Sequence, residues 1–212
     1  MRTLCALTGA ETAVLRWAMT IERVCVFCAS SRRCDPAYTE AARTTGRELA
    51  SAGKTVIYGG GSTGLMGALA DGALAAGGRV EGVLPRFMHD LELGHGGVST
   101  MHLVECMQTR LQKMLDHSEA FVALPGGCGT LEELFFVLTR KRLGLHTRPV
   151  VIVNVRGFFD PCLEMLERCV SERFMDERHG RMWTVVASTE GLLGALSAAP
   201  SWSELDGKFA VP

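Results

Sequence analysis

Seven short apolar runs, six of them followed by a segment of helical periodicity, set the strongest limit on how this 212-residue chain can fold. The runs span residues 23–29, 54–58, 79–85, 102–106, 120–125, 148–155 and 183–188. Helical patterns cover 35–53, 64–78, 107–118, 130–144, 160–174 and 189–199, and residues 87–101 form a glycine-punctuated loop. The first helix carries its own boundary signals: Asp35 as N-cap, Pro36 at the first helical position and Gly53 as the stop. Such alternation specifies a mostly parallel sheet with helices on both faces, an α/β doubly wound architecture. In open sheets of this kind ligands bind beyond the carboxyl ends of the strands, where the two glycine loops of the chain fall.

The length suits one domain, read as residues 21–199, with an N-terminal extension over 1–20 and a frayed tail from Pro200. Met19 is a candidate start. A hydrophobic fraction of 47% with a net charge of −1 is a globular composition with no field for nucleic acid or an anionic membrane. Any bound anion therefore needs a local device. Glu11 and Arg16 interrupt any signal-peptide core, and no apolar run approaches the ~20 residues of a membrane helix. Eight cysteines, mostly inside apolar runs, read as small core residues of a reducing cytoplasm. Cys25 and Cys28 lie three apart in a strand and so face opposite sides; with no second such pair, a closed zinc site lacks its four ligands. The six histidines show no metal-ligand spacing and read as structural or surface residues.

The first glycine loop is YGGGSTGLMG, residues 58–67. Gly59, Gly61 and Gly64 satisfy G-x-G-x-x-G between a strand and a helix, with Gly60 between them. Three readings stand: turn chemistry alone, a dinucleotide site using Glu81 as its acid, and another phosphate or nucleotide contact, which is favoured. The dinucleotide reading is weakened because this is the second strand–helix turn and Glu81 lies inside its strand.

The second loop is LPGGCGTLEEL, residues 124–134. Gly126, Gly127 and Gly129 permit positive φ and close approach of backbone N–H groups. The helix start at Thr130 adds unpaired donors and a positive dipole end. Leu131, Leu134, Phe135 and Leu138 mark the expected buried stripe. Adjacent helical residues diverge by about 100°. Glu132 and Glu133 therefore cannot point the same way, and one caps or meets solvent while the other faces the cleft. A carboxylate beside a bound phosphate should reach toward a sugar, where it suits N-glycoside hydrolysis.

The two motifs, in order, resemble the signatures of the Lonely Guy family of cytokinin riboside 5'-monophosphate phosphoribohydrolases: PGGCGTLEE matches PGGxGTxxE, and YGGGSTGLMG its companion. The resemblance runs from about residue 24 to 196. It implies a Rossmann-like fold, a homodimer and hydrolysis of the N-glycosidic bond of adenosine 5'-monophosphates, N6-substituted or not, without metal or cofactor. It makes Glu133 the catalytic carboxylate and Glu132 a supporting neighbour. Arg110, with Met107, matches an M-x-x-R-K stretch, and Leu111 departs from the lysine expected there; Lys113 projects differently. Glu92 matches a substrate-binding glutamate. Thr139 matches a binding position, and is equally a helix threonine bonding to backbone. Related proteins are also labelled lysine decarboxylases. That label needs a Schiff-base lysine, and none of Lys54, Lys113, Lys141 and Lys208 lies in a glycine loop. The alternatives are a non-catalytic nucleotide or cofactor carrier and an NAD-dependent enzyme.

Overall fold

The computed structural model describes residues 21–89, 91 and 93–203. The readings made for residues 1–20, for Glu92 and for the tail beyond 203 lie outside these. Seven strands form one sheet: β1 (Arg23–Phe27), β2 (Thr55–Tyr58), β3 (Val80–Pro85), β4 (Thr100–Val104), β5 (Ala120–Ala123), β6 (Val150–Val153) and β7 (Thr184–Val186). Their order is β4-β3-β2-β1-β5-β6-β7, and every pairing is parallel. The helices are α1 (Pro36–Ser51), α2 (Gly64–Ala75), α3 (Arg86–His89), α4 (Met107–Asp116), α5 (Cys128–Arg142), α6 (Asp160–Ser171) and α7 (Leu192–Ala198).

Both faces of the sheet are covered, because successive strand residues point to opposite sides. Val24 and Val26 of β1, with Ala120 and Val122 of β5, pack under α1, α2 and α7. Cys25 and Phe27, with Phe121 and Ala123, pack under α4, α5 and α6. Cys25 and Cys28 thus fall in different halves of the core, as their spacing predicts. The first helix begins and ends where its caps place it: Asp35 accepts from the Ala37 N–H at 2.9 Å, and Gly53 takes φ +73° beyond the last turn.

Several expectations move. α5 begins at Cys128, two residues before the expected start, and buries Thr130, Glu133, Leu134, Val137, Leu138 and Lys141. Phe135, expected in that stripe, is 39% exposed. The i, i+3, i+4, i+7 spacing of apolar residues admits Phe135, whereas the packing of α5 buries Glu133 instead. β4 starts at Thr100, inside the segment expected to be loop, because Thr100 and Met101 pair with Glu81 and Gly82 of β3. α3 also lies in the segment expected to be loop; at four residues it has no periodicity to detect. Among the described cysteines only Cys25 and Cys28 are buried, and Cys106 and Cys128 are exposed. Trp202, inside the expected tail, is buried and donates its indole N–H to the Lys141 carbonyl at 2.9 Å.

The run of small residues in α2 serves a close helix pair. A Cβ on Gly46 of α1 would lie 2.1 Å from the Leu69 carbonyl oxygen, and one on Gly72 of α2 would lie 2.1 Å from that of Arg43. Both obstacles are backbone, so the helices themselves would have to separate. Gly46→Ala gains ~1 kcal/mol of helix propensity, but overpacking outweighs it for a net loss of about 2 kcal/mol. Thermal unfolding should show a fall of roughly 4–8 °C.

Candidate functional site

The chain lays down β1 to β4 toward one edge, then returns to place β5 on the other side of β1. The loops after β1 and β5 therefore diverge and leave a crevice at the carboxyl ends of the strands. A cleft of about 390 Å³ opens there, lined by segments that follow β1, β2, β3, β4 and β5. Both glycine loops contribute to it.

At its base sits an ion pair. Arg110 lies on the first turn of α4 and Glu133 on the second turn of α5. Arg110 Nη1 stands 2.8 Å from Glu133 Oε1, with the two side chains 6% and 4% exposed. Arg110 Nε also donates to the Val83 carbonyl at 3.1 Å, which fixes the plane of the guanidinium. Gly59 makes room for this geometry, since a Cβ there would lie 2.1 Å from Arg110 Nη2. Burial pushes the Glu133 carboxyl up to about 7; Arg110 opposes this by charge and hydrogen bonding, and Glu132 adds slightly to the rise.

Above the pair is the start of α5. The first ladder bond of the helix runs from the Leu131 N–H to the Gly127 carbonyl at 3.0 Å. The N–H groups of Cys128, Gly129 and Thr130 precede that ladder and have no acceptor within the helix. Gly127 and Gly129 are exposed, and a Cβ at either would meet nothing within 4 Å. The expected positive φ is absent from Gly126, Gly127 and Gly129. Their role is space: Gly126 clears the Thr130 hydroxyl, which its Cβ would approach to 2.1 Å, and the other two leave the helix terminus open. Positive φ belongs to the first loop, at Gly60 (+80°) and Gly64 (+61°). Two bonds brace that loop: Tyr58 Oη donates to the Gly61 carbonyl at 3.2 Å, and Thr63 Oγ1 to the Ser30 carbonyl at 2.8 Å.

Of the residues expected at the site, Gly59, Gly61, Met107, Arg110, Gly127, Gly129, Thr130 and Glu133 line the cleft. Gly60, Gly64 and Gly126 shape its loops without lining it. Glu132 and Thr139 are exposed and do not line it, because each lies roughly 100–120° around the α5 axis from Glu133. Leu111 is buried in the core, and Lys113 lies toward the far end of α4, near His117, whose pKa is lowered first by burial and next by the Lys113 charge. Sequence reading missed Cys28–Ser31 after β1, together with Met66, Met88 and Leu93. The Ala-Ser-Ser turn directly after the first strand was the available signal.

Glu81, the acid of the dinucleotide reading, is withdrawn from that role. It sits near the amino end of β3, away from the cleft, and is 4% exposed. Arg23 reaches it at 2.8 and 3.3 Å, Arg79 at 3.1 Å and His102 at 3.1 Å. These hydrogen bonds outweigh desolvation, although burial is the largest single influence, and hold its carboxyl down to about 2. Glu81, His102 and His117 lie within reach of one metal ion, but two guanidiniums already neutralise the carboxylate, so the set suits an ion network better than a dication. Lys54, Lys113 and Lys141 all lie outside the cleft.

The fold and cleft define a doubly wound, Rossmann-like α/β protein with an acid-bearing cradle of main-chain donors at its switch point. The family model described as "Possible lysine decarboxylase" matches residues 66–196. The chain is 41% identical over 154 residues to cytokinin riboside 5'-monophosphate phosphoribohydrolase LOG1 of Arabidopsis thaliana, covering 73% of this chain and 72% of that protein. With LOG7 of the same plant it shares 36% over 189 residues, covering 89% and 87%. Among solved structures, the molybdenum cofactor binding protein of Rippkaea orientalis aligns with a TM-score of 0.65 at 20% identity, covering 85% of this chain and 98% of that one, which shows the common fold. The chain belongs to the Lonely Guy family.

The opposite end of the sheet offers a control for the site. Glu81 has a depressed pKa, so its contribution to stability is present above the unfolded value near 4.5 and is lost as pH falls from there through about 2. Glu81→Gln should cost about 2 kcal/mol at pH 7, less than the ~3–5 kcal/mol of a fully buried broken pair because its arginine partners reach solvent. Denaturant titrations at pH 7 and pH 3 should show that penalty shrinking at the lower pH.

Proposed function

We propose that this chain hydrolyses the N-glycosidic bond of adenosine 5'-monophosphates, with or without an N6 substituent, giving the free base and ribose 5-phosphate. The observation that carries the reading is the buried Arg110–Glu133 pair directly beneath the open start of α5. The 5'-phosphate accepts from the N–H groups of Cys128, Gly129 and Thr130, which need no net basic charge to hold it. The ribose then lies over Glu133. As the bond from the anomeric carbon to the base breaks, its electron pair leaves with the base, which takes up a proton. The Glu133 carboxylate stabilises the positive charge developing on the sugar, and a water oxygen closes onto the anomeric carbon as that water gives up one proton, which balances the one the base takes up. Met66, Met88, Leu93 and Met107 offer the departing base an apolar wall. Arg110 holds Glu133 in place and keeps part of its population ionised.

A carrier would need the cradle without the carboxylate, and the likeness to cofactor-binding proteins rests on fold alone. The same reading takes the chain as a cytoplasmic homodimer, for which exposed Phe135, Leu143 and Leu145 of α5 and its C-terminal turn offer apolar surface. Light scattering should return twice the chain mass.

Glu133→Gln keeps the shape and removes the charge. Base release from AMP or a prenylated AMP, followed by chromatography, should fall about 10³-fold with little change in nucleotide binding. Release at the wild-type rate would refute the role of Glu133, and a wild-type chain that binds nucleotide yet never frees base would be a carrier. The required form is the carboxylate and its pKa is raised to about 7, so kcat/KM should drop tenfold per pH unit below that value. The acidic limb should be missing from the residual activity of Glu133→Gln.

A further inference from the structure

Two of the four apolar side chains that face the departing base stand on long helices, Met66 on α2 and Met107 on α4. The other two do not: Met88 belongs to the four-residue α3, and Leu93 to the chain that follows it. This stretch hangs from the first glycine loop by its main chain. The Leu93 N–H donates to the Met88 carbonyl at 3.3 Å, the Ser62 N–H to the Leu93 carbonyl at 3.0 Å, and the His95 N–H to the Gly60 carbonyl at 3.0 Å. Gly61 and Gly94 are thereby set in an antiparallel bridge, although the strands of the sheet pair only in parallel. Gly59, Gly60 and Gly61 have no side chains with which to grip the wall further.

His95 supplies the missing side-chain link. Its Nδ1 accepts from the Gly97 N–H at 3.1 Å, which puts the hydrogen of the neutral ring on Nε2. Nε2 stands 3.2 Å from Asp71 Oδ1 on α2. The ring is mostly covered, its side chain being 14% exposed, and Gly97 leaves room for it, since a Cβ there would lie 3.2 Å from His95 Cε1. One residue thus closes a ring of contacts: its N–H holds Gly60 at the head of the glycine loop, and its imidazole holds Asp71 on the helix into which that loop runs. We propose that His95 is a positioning residue for base binding, clasping the segment from Leu93 to Gly97 onto α2 so that Leu93 and Met88 stay against the base. The inference rests on the nucleotide reading of the cleft given above, and does not depend on the catalytic role of Glu133.

Calorimetric titration of the full chain with AMP and, separately, with ribose 5-phosphate tests this, in a Glu133→Gln background so that the nucleotide survives the measurement. His95→Ala should weaken AMP about tenfold, the scale of two wall side chains that must be ordered anew on binding. Ribose 5-phosphate has no base to meet the wall, and its affinity should stay within twofold. His95→Gln can still offer an N–H where Nε2 stood and should bind AMP within threefold of the background. His95→Asn replaces only the Nδ1 acceptor for the Gly97 N–H and should behave like His95→Ala. Asp71→Ala should reproduce the loss, and combining it with His95→Ala should add nothing further. A purely structural role would weaken both ligands alike. Equal losses for the two ligands, unchanged AMP affinity in His95→Ala, or rescue by asparagine and not glutamine would overturn the proposal. So would a background chain that binds AMP no more tightly than ribose 5-phosphate, or not at all. A wild-type chain that never frees base would defeat the hydrolase reading alone, because none of these titrations requires turnover.

Discussion

A guanidinium and a carboxylate, each almost wholly withdrawn from water, meet at 2.8 Å between α4 and α5, and the carboxyl-end architecture is arranged around that contact. Removing such charges from water costs several kcal/mol per ion, and a buried pair does not reliably recover it. Stability alone does not explain the arrangement. Gly59 gives up a side chain so that Arg110 can pass, the Val83 carbonyl orients it, and Gly126 gives up a side chain so that Thr130 can pack beside the start of α5. Two glycines thus surrender packing, and one backbone carbonyl is committed, to hold one carboxylate under an open helix terminus.

The two buried glutamates show how environment divides one residue type into two chemistries. Glu81 has two guanidiniums and an imidazole on its oxygens and is held near 2; Glu133 has one guanidinium and sits near 7. Burial raises both. The number of compensating donors decides the outcome, and the partners of Glu81 reach solvent whereas Arg110 does not. A carboxyl poised near neutrality at the mouth of an anion cradle is suited to chemistry, and one fixed as an anion at the far end of the sheet is suited to joining strands.

Much of this was legible in the sequence. Strand–helix alternation gave the all-parallel sheet because each element signals itself locally, as Asp35, Pro36 and Gly53 do for α1. The divergence of Glu132 and Glu133 followed from helical geometry, although which of them turns inward came from resemblance. The register of α5 was less legible: Phe135 is as apolar as Leu134, and only the tertiary packing of Glu133 and Lys141 settles which face is covered. The contribution of Ser30 and Ser31 was hidden, because a short serine turn acquires meaning only when the sheet order sets it opposite the second glycine loop. Charge partners such as Arg23 and Glu81, 58 residues apart, cannot be paired from sequence at all.

The description of the matching family model as a possible lysine decarboxylase can be weighed by geometry. Lys141 is the tempting residue, since it is 2% exposed and burial lowers its pKa to about 8. It follows Glu133 by eight residues on the same helix, which at 1.5 Å per residue carries it ~12 Å away from the cleft. Its ammonium donates to the Arg148 carbonyl at 2.8 Å, and the Trp202 indole closes over the same turn. A Schiff-base lysine must meet its cofactor in an open site, and this one is stitched into the base of the fold. The same helix that lifts Glu133 into the cleft carries Lys141 out of it.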